Sequence, residues 1–366
     1  MERISTHQFM VVTTGVIMGF TFMPVAQTAV MEGTGRDGWL SVLPGYALAI
    51  PLGLMVLCVA ERFPGQNFIK ISENLLGKWP AKGLGLMYSG ISLYFGGLLL
   101  AANRDVFQRS ILPQVPGMIF CAGIAFLVVL LAWLGIEVYA RFSEIIVPVF
   151  IILLLLVIIA SIPRIEWEEF FPLPLTANGP LPALRGAWRI TGFAGEYIFF
   201  LFGLLPFLPQ GQGARLRTGI WRAVILVGAG SAILTLIEIM VFGPSETERL
   251  NYGLLSLGKM IEISKMVYGV ESIIMVILMG ANILKVTAFY LGTVWGLQAV
   301  FNLKDQLGLY LAVGLIFAAI AYRVPGGSWL GIELGKVDSY LVRNLPLIWV
   351  PLAWFMALRQ GKRRPQ

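Results

Sequence analysis

The stretch Thr191-Gly192-Phe193-Ala194-Gly195-Glu196 places two glycines and a carboxylic acid inside an apolar run that extends from residue 187 to residue 209. As a helix rising about 1.5 Å per residue, such a run crosses a hydrocarbon core of about 30 Å. Glu196 then lies roughly 14 Å inward from residue 187, close to the bilayer midplane. A carboxylic acid at that depth must be neutral, paired or turned toward a wet cavity. The stretch therefore predicts a membrane protein with a polar site at its centre.

Apolar runs of this kind recur along the whole chain. The composition agrees, because 57% of the residues are hydrophobic, only 13% are charged and the mean hydropathy is +0.80, whereas soluble domains carry about 25% charged residues. Barrel strands would alternate in polarity over about ten residues, so continuous runs indicate helices. We predict an all-α, polytopic membrane protein of ten transmembrane helices, at residues 8–31, 38–60, 83–103, 117–135, 144–163, 187–209, 222–243, 269–297, 305–322 and 339–358.

The distribution of charge predicts the orientation of these spans. An even number of spans places both ends of the chain on one side. If that side is the cytoplasm, its segments hold fourteen cations against six acids, including the basic tail from Gly361 to Arg364. Cytoplasmic loops of membrane proteins carry an excess of Lys and Arg, so we predict cytoplasmic N- and C-termini. The same bias explains the pI of about 9.5, and we expect no nucleic acid among the partners.

The two halves of the chain share features that indicate an internal repeat. No linker divides the sequence, so we predict a single transmembrane domain, 1–366, built from repeat A, about 8–163, and repeat B, about 187–358. Each half has an amphipathic segment between its second and third spans, Gln66–Trp79 and Arg249–Lys265. Five spans per half place these segments on opposite faces, as an inverted repeat requires. The alternative is coincidence, which any ten-span protein offers.

The first span of each half also carries the same kind of interruption. Gly15, Gly19 and Pro24 interrupt span one, and Gly19 lies roughly 16 Å inward from residue 8. We predict that helices 1 and 6 are discontinuous, and that the N–H and C=O groups freed at the breaks face protein, water or a ligand. A zwitterionic solute supplies partners for both kinds of group. The alternative is that Gly15 and Gly19, four residues apart, only allow helices to pack closely.

These breaks and the polar residues beside them define the predicted site. The predicted ligand-binding residues are Thr14, Gly15, Gly19, Phe20, Thr21, Gly192, Phe193, Ala194, Gly195, Glu196, Tyr197 and, from span three, Tyr94. In span eight, Lys285 and Asn282 are candidates for a cation or proton site, because an ammonium facing span one would replace a bound cation or exchange a proton. The alternative for Lys285 is snorkelling toward the headgroups. Snorkelling is what we expect of Glu238, near the outer end of span seven.

The sequence lacks the parts of hydrolytic, metal-dependent and ATP-driven chemistry. Its one histidine, His7, lies in the N-terminal tail, and the chain has no P-loop, no HExxH and no Gly-x-Ser-x-Gly elbow. We therefore expect no enzyme activity, no cofactor and no metal.

Several segments in order resemble the spore-germination permease family, the B subunits of the nutrient germinant receptors of endospore formers, within the amino acid-polyamine-organocation superfamily. These segments are Ile4–Gln8, Phe63–Gln66, Gly135–Glu144, Pro172–Gly179 and Phe193–Glu196 with Pro206. The resemblance covers the whole chain. It implies a LeuT-like five-plus-five fold, location in the spore inner membrane or cell membrane, recognition of a nutrient such as an amino acid, and a complex with A and C subunits.

The resemblance also implies where the ligand binds. The superfamily's ligand sites lie in the breaks of spans one and six, here Gly19, Phe20 and Thr21 together with Gly192–Glu196. Span eight shows no clear sodium-site pattern. We therefore expect a germinant-sensing subunit. The alternatives are a proton-coupled amino-acid transporter with Lys285 or Glu196 as the proton site and, less supported because no filter sequence is evident, an ion-conducting pore.

Overall fold

The computed structural model describes residues 3–31, 34–110, 114–169, 180–260, 270–304 and 306–359. The basic tail, the Pro172–Gly179 segment and residues 261–265 of the second amphipathic segment lie outside these ranges. Within them the chain is helical. The α-helices are α1 (Thr6–Met18), α2 (Val25–Met31), α3 (Gly38–Arg62), α4 (Phe68–Leu76), α5 (Lys78–Ser110), α6 (Gly117–Trp133), α7 (Ile136–Ser161), α8 (Leu181–Leu204), α9 (Gly213–Phe242), α10 (Pro244–Thr247), α11 (Gly253–Met260), α12 (Val270–Phe301), α13 (Leu307–Arg323), α14 (Ser328–Val337) and α15 (Asn344–Arg359).

Seven helical stretches of the described chain are long and apolar enough to cross a membrane. They are built on α3, α5, α7, α8, α9, α12 and the pair α14–α15. The predicted spans four and nine correspond to α6 and α13, shorter apolar helices of 17 residues each. Large apolar side chains cover the outward surfaces, as at Ile145, Ile152 and Ile159 of α7. Such a surface suits hydrocarbon rather than water.

The predicted break in span one is present between α1 and α2. α1 begins with a capping box between Ser5 and Gln8 and ends at Met18, and α2 begins at Val25. Phe20 adopts a left-handed backbone with φ of 57°, a conformation that is uncommon for a residue with a side chain. The chain therefore turns within the buried interior and then resumes as a helix.

The predicted break in span six is wrong, because α8 runs from Leu181 to Leu204 without interruption. A glycine in a helix interior costs only about 1 kcal/mol relative to alanine. Opening the backbone in hydrocarbon costs several kcal/mol for each group left unsatisfied. The helix therefore continues through Gly192 and Gly195. Glycine is needed at position 192 for another reason. The Asp338 carboxylate occupies the position that a Cβ would take.

Contacts at the ends of the helices define two faces of the protein. At one, here the N-terminal face, Ile4 N–H donates to the Phe207 carbonyl, and Asn67, at the start of α4, lines a cavity together with Phe207. At the opposite face Tyr252, just before α11, donates to Asp105 at the end of α5. The two amphipathic segments thus begin on opposite faces, as an inverted repeat requires. The repeat itself stays a prediction.

Candidate functional site

The turn in span one is bound tightly to α12. The Phe20 N–H, which the break releases from helical bonding, donates to Asn282 Oδ1 at 2.5 Å. A Cβ on Gly19 would lie 2.5 Å from the Ala281 carbonyl oxygen and 2.9 Å from Lys285 Cβ. No residue larger than glycine fits at that distance without a shift of the α12 backbone. Gly19 therefore serves the break and the close approach of the two helices together.

Thr21 connects the break to two charged side chains. Its hydroxyl donates to the Ile17 carbonyl at 2.6 Å and accepts from Lys285 Nζ at 2.7 Å. The same ammonium forms an ion pair with the Glu196 carboxylate of α8. Spans one, six and eight therefore meet at one polar point in the protein interior.

The ion pair excludes the snorkelling alternative for Lys285. Both side chains are only 2% exposed, so the ammonium does not reach a membrane surface. Removing two charges from water costs several kcal/mol per ion, and only a close opposite charge with further hydrogen bonds offsets that cost. Lys285 has both, from Glu196 and Thr21. The predicted meeting of Lys285 with span one is present, whereas the role of the pair stays a prediction.

Asp338 is a third buried charge, and the sequence analysis missed it. It is 4% exposed and begins a five-residue π-helical turn, Asp338–Val342, between α14 and α15. Its carboxylate lies against Gly192 of α8, the helix that carries Glu196. The signal in the sequence was a lone acid at the edge of the apolar run 339–358. The predicted span begins at residue 339, whereas the apolar helical stretch begins at Trp329, so Asp338 was left outside the predicted span.

The predicted residues of α8 directly precede Glu196 in the helix. Gly195 is buried, and no heavy atom outside its own helix backbone and chain neighbours lies within 4 Å of the position of a Cβ. Ala194 is fully buried and Phe193 is half-buried. The described structure therefore leaves open space beside Gly195, one residue before Glu196.

Thr14 and Gly15 lie away from the break. The Thr14 hydroxyl donates to the Met10 carbonyl of its own helix at 2.8 Å, and its side chain lines an apolar cavity of about 180 Å³ between α1, α7 and α9. A Cβ on Gly15 would lie 2.8 Å from Leu284 Cδ1. Gly15 therefore allows α1 and α12 to pack closely, which was the alternative to a role in the break.

The two predicted tyrosines also face other parts of the protein. The Tyr197 hydroxyl donates to the Ala49 carbonyl of α3 at 3.0 Å. Tyr94 donates to Glu333 Oε1 of α14 at 3.3 Å. Neither contact involves the break or the ion pair.

Glu238 does not snorkel, contrary to expectation. Glu238 is 1% exposed and packs against α11, where its carboxylate occupies the position that a Cβ on Gly253 would take. Its backbone carbonyl accepts from the Thr247 hydroxyl at 3.2 Å. The segment that follows α9 therefore covers Glu238 rather than leaving it at the membrane surface.

A cavity of about 370 Å³ opens below the site at the N-terminal face. Its lining combines aromatic side chains with amides, among them Tyr88, Trp295, Asn67 and Asn302. It is bounded by α4, the start of α5 and the ends of α8 and α12. The same two helices carry Glu196 and Lys285, neither of which lines the cavity.

Solved transporters share this architecture. The crystal structure of MhsT in complex with L-phenylalanine matches with a TM-score of 0.71 and 15% identity, covering 97% of this chain and 88% of MhsT. Mhp1, a nucleobase-cation-symport-1 family transporter in a closed conformation with bromovinylhydantoin bound, matches with a TM-score of 0.68 and 12% identity, covering 92% and 75%. At such identities the likeness shows the fold alone. The protein is an all-helical membrane protein with a LeuT-like transporter fold.

Sequence comparison gives the family. A family model described as spore germination protein matches residues 3–324, and the chain belongs to this spore germination permease family. Spore germination protein YndE of Bacillus subtilis (strain 168) is 22% identical over 354 residues, 95% of each chain. Spore germination protein KB of the same strain is 23% identical over 338 residues, 90% of this chain and 89% of that protein. The family is one of permease-like membrane proteins, not of enzymes.

Proposed function

We propose that this protein is a germinant-sensing membrane subunit that binds a nutrient amino acid, or a similar small solute, between span one and α8. The observation that carries the proposal is the convergence of the span-one turn, through Thr21, with the buried Lys285–Glu196 pair. The turn supplies main-chain dipoles, and α8 supplies open space at Gly195. These are the elements that a zwitterion needs. The ligand class remains our prediction.

The finer topology belongs to the same proposal. We assign ten spans in a five-plus-five inverted repeat, by adding α6, α13 and the broken α1–α2 span to the seven long stretches. Both termini are assigned to the cytoplasm, and the membrane to the spore inner membrane. The partners are the A and C subunits of a germinant receptor. The family membership and the charge bias support these assignments.

A shift of conformational population suffices for signalling. A ligand that binds the occluded form more tightly than the open form shifts the equilibrium by that difference in binding free energy and no more. The direct bond between Phe20 and Asn282 couples the ligand-facing turn to α12. Partner subunits that contact the outer surface would then respond to the shift.

The test replaces Gly195 with valine in the purified full-length protein. Thermal unfolding with each of the twenty common amino acids identifies those that stabilise the wild type. We expect Gly195→Val to fold and to lose this stabilisation, because its side chain fills the open space. Gly123→Val is the matched control, since Gly123 is exposed on α6 with no atom within 4 Å of its Cβ position. Wild-type affinity in Gly195→Val would overturn the assigned site.

A second candidate function is proton-coupled transport of an amino acid. The buried Lys285–Glu196 pair supports it, because a proton that neutralises Glu196 would release the ammonium. Reconstitution of the protein into vesicles separates the two functions. Accumulation of labelled amino acid driven by a pH gradient, abolished in Lys285→Ala, would establish transport. Binding without accumulation would support sensing alone.

A further inference from the structure

One oxygen of the buried Asp338 carboxylate has no hydrogen-bond partner among the residues that the structure describes. The residue is 4% exposed, and the unpartnered atom is Oδ1. Buried polar atoms are almost always hydrogen-bonded, so an exception calls for an explanation such as an unfilled ligand position. The π-helical turn that Asp338 begins is a feature that occurs frequently at functional sites.

Two cations of this region, Lys285 and Arg343, have hydrogen-bond partners other than Asp338 Oδ1. Lys285 forms the ion pair with Glu196 and donates to Thr21 at 2.7 Å. The ion pair neutralises the charge of Glu196. Asp338 Oδ1 therefore receives no hydrogen bond from Lys285.

Arg343 is also held by partners other than Asp338 Oδ1. Its guanidinium donates to the Trp188 carbonyl at 2.9 Å and to the Ser339 carbonyl at 3.0 Å. It also lies over the Trp188 ring, 4.6 Å from the ring centroid. Two main-chain acceptors and an aromatic face therefore hold the guanidinium through its two terminal nitrogens. Its Nε is a buried donor without a partner among the described residues, and no hydrogen bond joins the guanidinium to Asp338 Oδ1.

The carboxylate faces α8 where that helix has no side chains. Residues three apart share a helix face, so Gly192 and Gly195 lie on one side of α8. The Asp338 carboxylate contacts the Gly192 position, and the Gly195 position is open. An acceptor without a donor therefore lies about one helical turn from unfilled space.

We propose that Asp338 Oδ1 accepts the ammonium of the ligand, and that the site consequently selects small solutes carrying a primary ammonium group. This inference rests on the proposed function and names the residue that determines ligand class. Lys285 pairs with Glu196, whereas Asp338 Oδ1 has no partner among the described residues and is available to the ligand. A charged donor and a charged acceptor in a dry site form the stronger kind of hydrogen bond.

The experiment compares each amino acid with the acid that lacks its ammonium group. The probes are L-alanine with propanoate, L-valine with 3-methylbutanoate and L-phenylalanine with 3-phenylpropanoate, titrated against the purified full-length protein. The variant is Asp338→Asn, which keeps the shape and removes the charge. Glu333→Gln is the matched control, because Glu333 lies on α14 and contacts Tyr94 instead of the site.

We expect the wild type and Glu333→Gln to bind at least one of the amino acids and none of the deaminated acids. In Asp338→Asn the affinity for that amino acid should fall about 10- to 100-fold. Unchanged affinity in Asp338→Asn, together with loss of binding in Gly195→Val, would overturn the role of Asp338 and leave the proposed function standing. Failure of the wild type to bind any of the twenty amino acids would overturn both.

A measurement without ligand distinguishes a binding residue from a structural one. If Oδ1 is unpartnered until a ligand binds, Asp338→Asn removes an uncompensated buried charge from the free protein. The melting temperature of the variant without ligand should then equal or exceed that of the wild type. A lower melting temperature would mean that Asp338 stabilises Arg343, and it would overturn the inference.

Discussion

The Lys285 ammonium of α12 contacts the Glu196 carboxylate of α8, and each side chain is 2% exposed. Thr21, after the span-one turn, accepts a hydrogen bond from the same ammonium. Three spans are thereby joined by one cation. The arrangement is stable only while both charges are present, because either charge left alone in the interior loses the attraction that offsets its desolvation.

We predict strong energetic coupling between these two residues. Lys285→Met and Glu196→Gln should each lower the free energy of unfolding by about 3–5 kcal/mol, because each leaves an uncompensated buried group. The double variant should cost clearly less than the sum of the two single changes. Thermal unfolding of the four purified proteins in one detergent measures the coupling. Additive losses would show that the two side chains do not depend on each other.

Two glycines of the same helix should respond oppositely to alanine. Gly192→Ala places a Cβ on the Asp338 carboxylate, and such overpacking costs about 1–3 kcal/mol. Gly195→Ala meets no atom within 4 Å, so it should be neutral or stabilising by up to about 1 kcal/mol, from helix propensity. Melting temperatures of the two variants test this. Equal behaviour would contradict the close contact at Gly192.

The sequence was sufficient to predict the break in span one. Gly19 begins the turn and Pro24 ends it, because proline cannot supply a backbone N–H to the preceding helical turn. The residues that predicted the break therefore lie at its two ends. In span six the same glycine pattern was misleading. Glycine permits a helix to break, and it equally permits a neighbouring group to approach an unbroken helix. In α8 the contact between Asp338 and Gly192 shows that the second explanation holds.

Pairing between distant residues could not be predicted. Lys285 and Glu196 were each identified as buried candidates, yet their contact depends on the crossing of α8 and α12, which hydropathy does not encode. Asp338 was missed for a different reason. The end of an apolar run is uncertain by a few residues, and a π-helical turn keeps this acid inside the protein although it lies at the edge of the run.

The left-handed turn at Phe20 should depend on Asn282. Asn282→Leu removes the acceptor of the Phe20 N–H, and a buried donor without a partner costs about 1–3 kcal/mol. Asn103→Leu is the matched control, because Asn103 is equally buried but donates only to the Leu99 carbonyl of its own helix. We expect a clear fall in melting temperature for the first variant and a smaller change for the second. Equal changes would mean that the turn is held by packing alone.

The opposite face is held by a tyrosine whose ionisation provides a pH test. Tyr252 donates to Asp105 Oδ2 at 2.8 Å, and Asp105 Oδ1 also accepts from Arg109 Nε at 2.9 Å. Burial, and then the Asp105 carboxylate, raise the pKa of the Tyr252 phenol above its ordinary value of 10. A raised pKa means that folding favours the protonated phenol. Its contribution to stability is therefore complete below about pH 10 and is lost as the pH rises further.

Tyr252→Phe removes the donor and should lower the free energy of unfolding by about 1.5–3 kcal/mol at neutral pH, because the acceptor is charged. Above about pH 10 the wild type should lose stability faster than this variant, so the difference between them should narrow. Tyr340→Phe, at a side chain that is 69% exposed, should match the wild type throughout. A difference between wild type and Tyr252→Phe that stays constant from neutral to alkaline pH would mean that the phenol does not bond to Asp105.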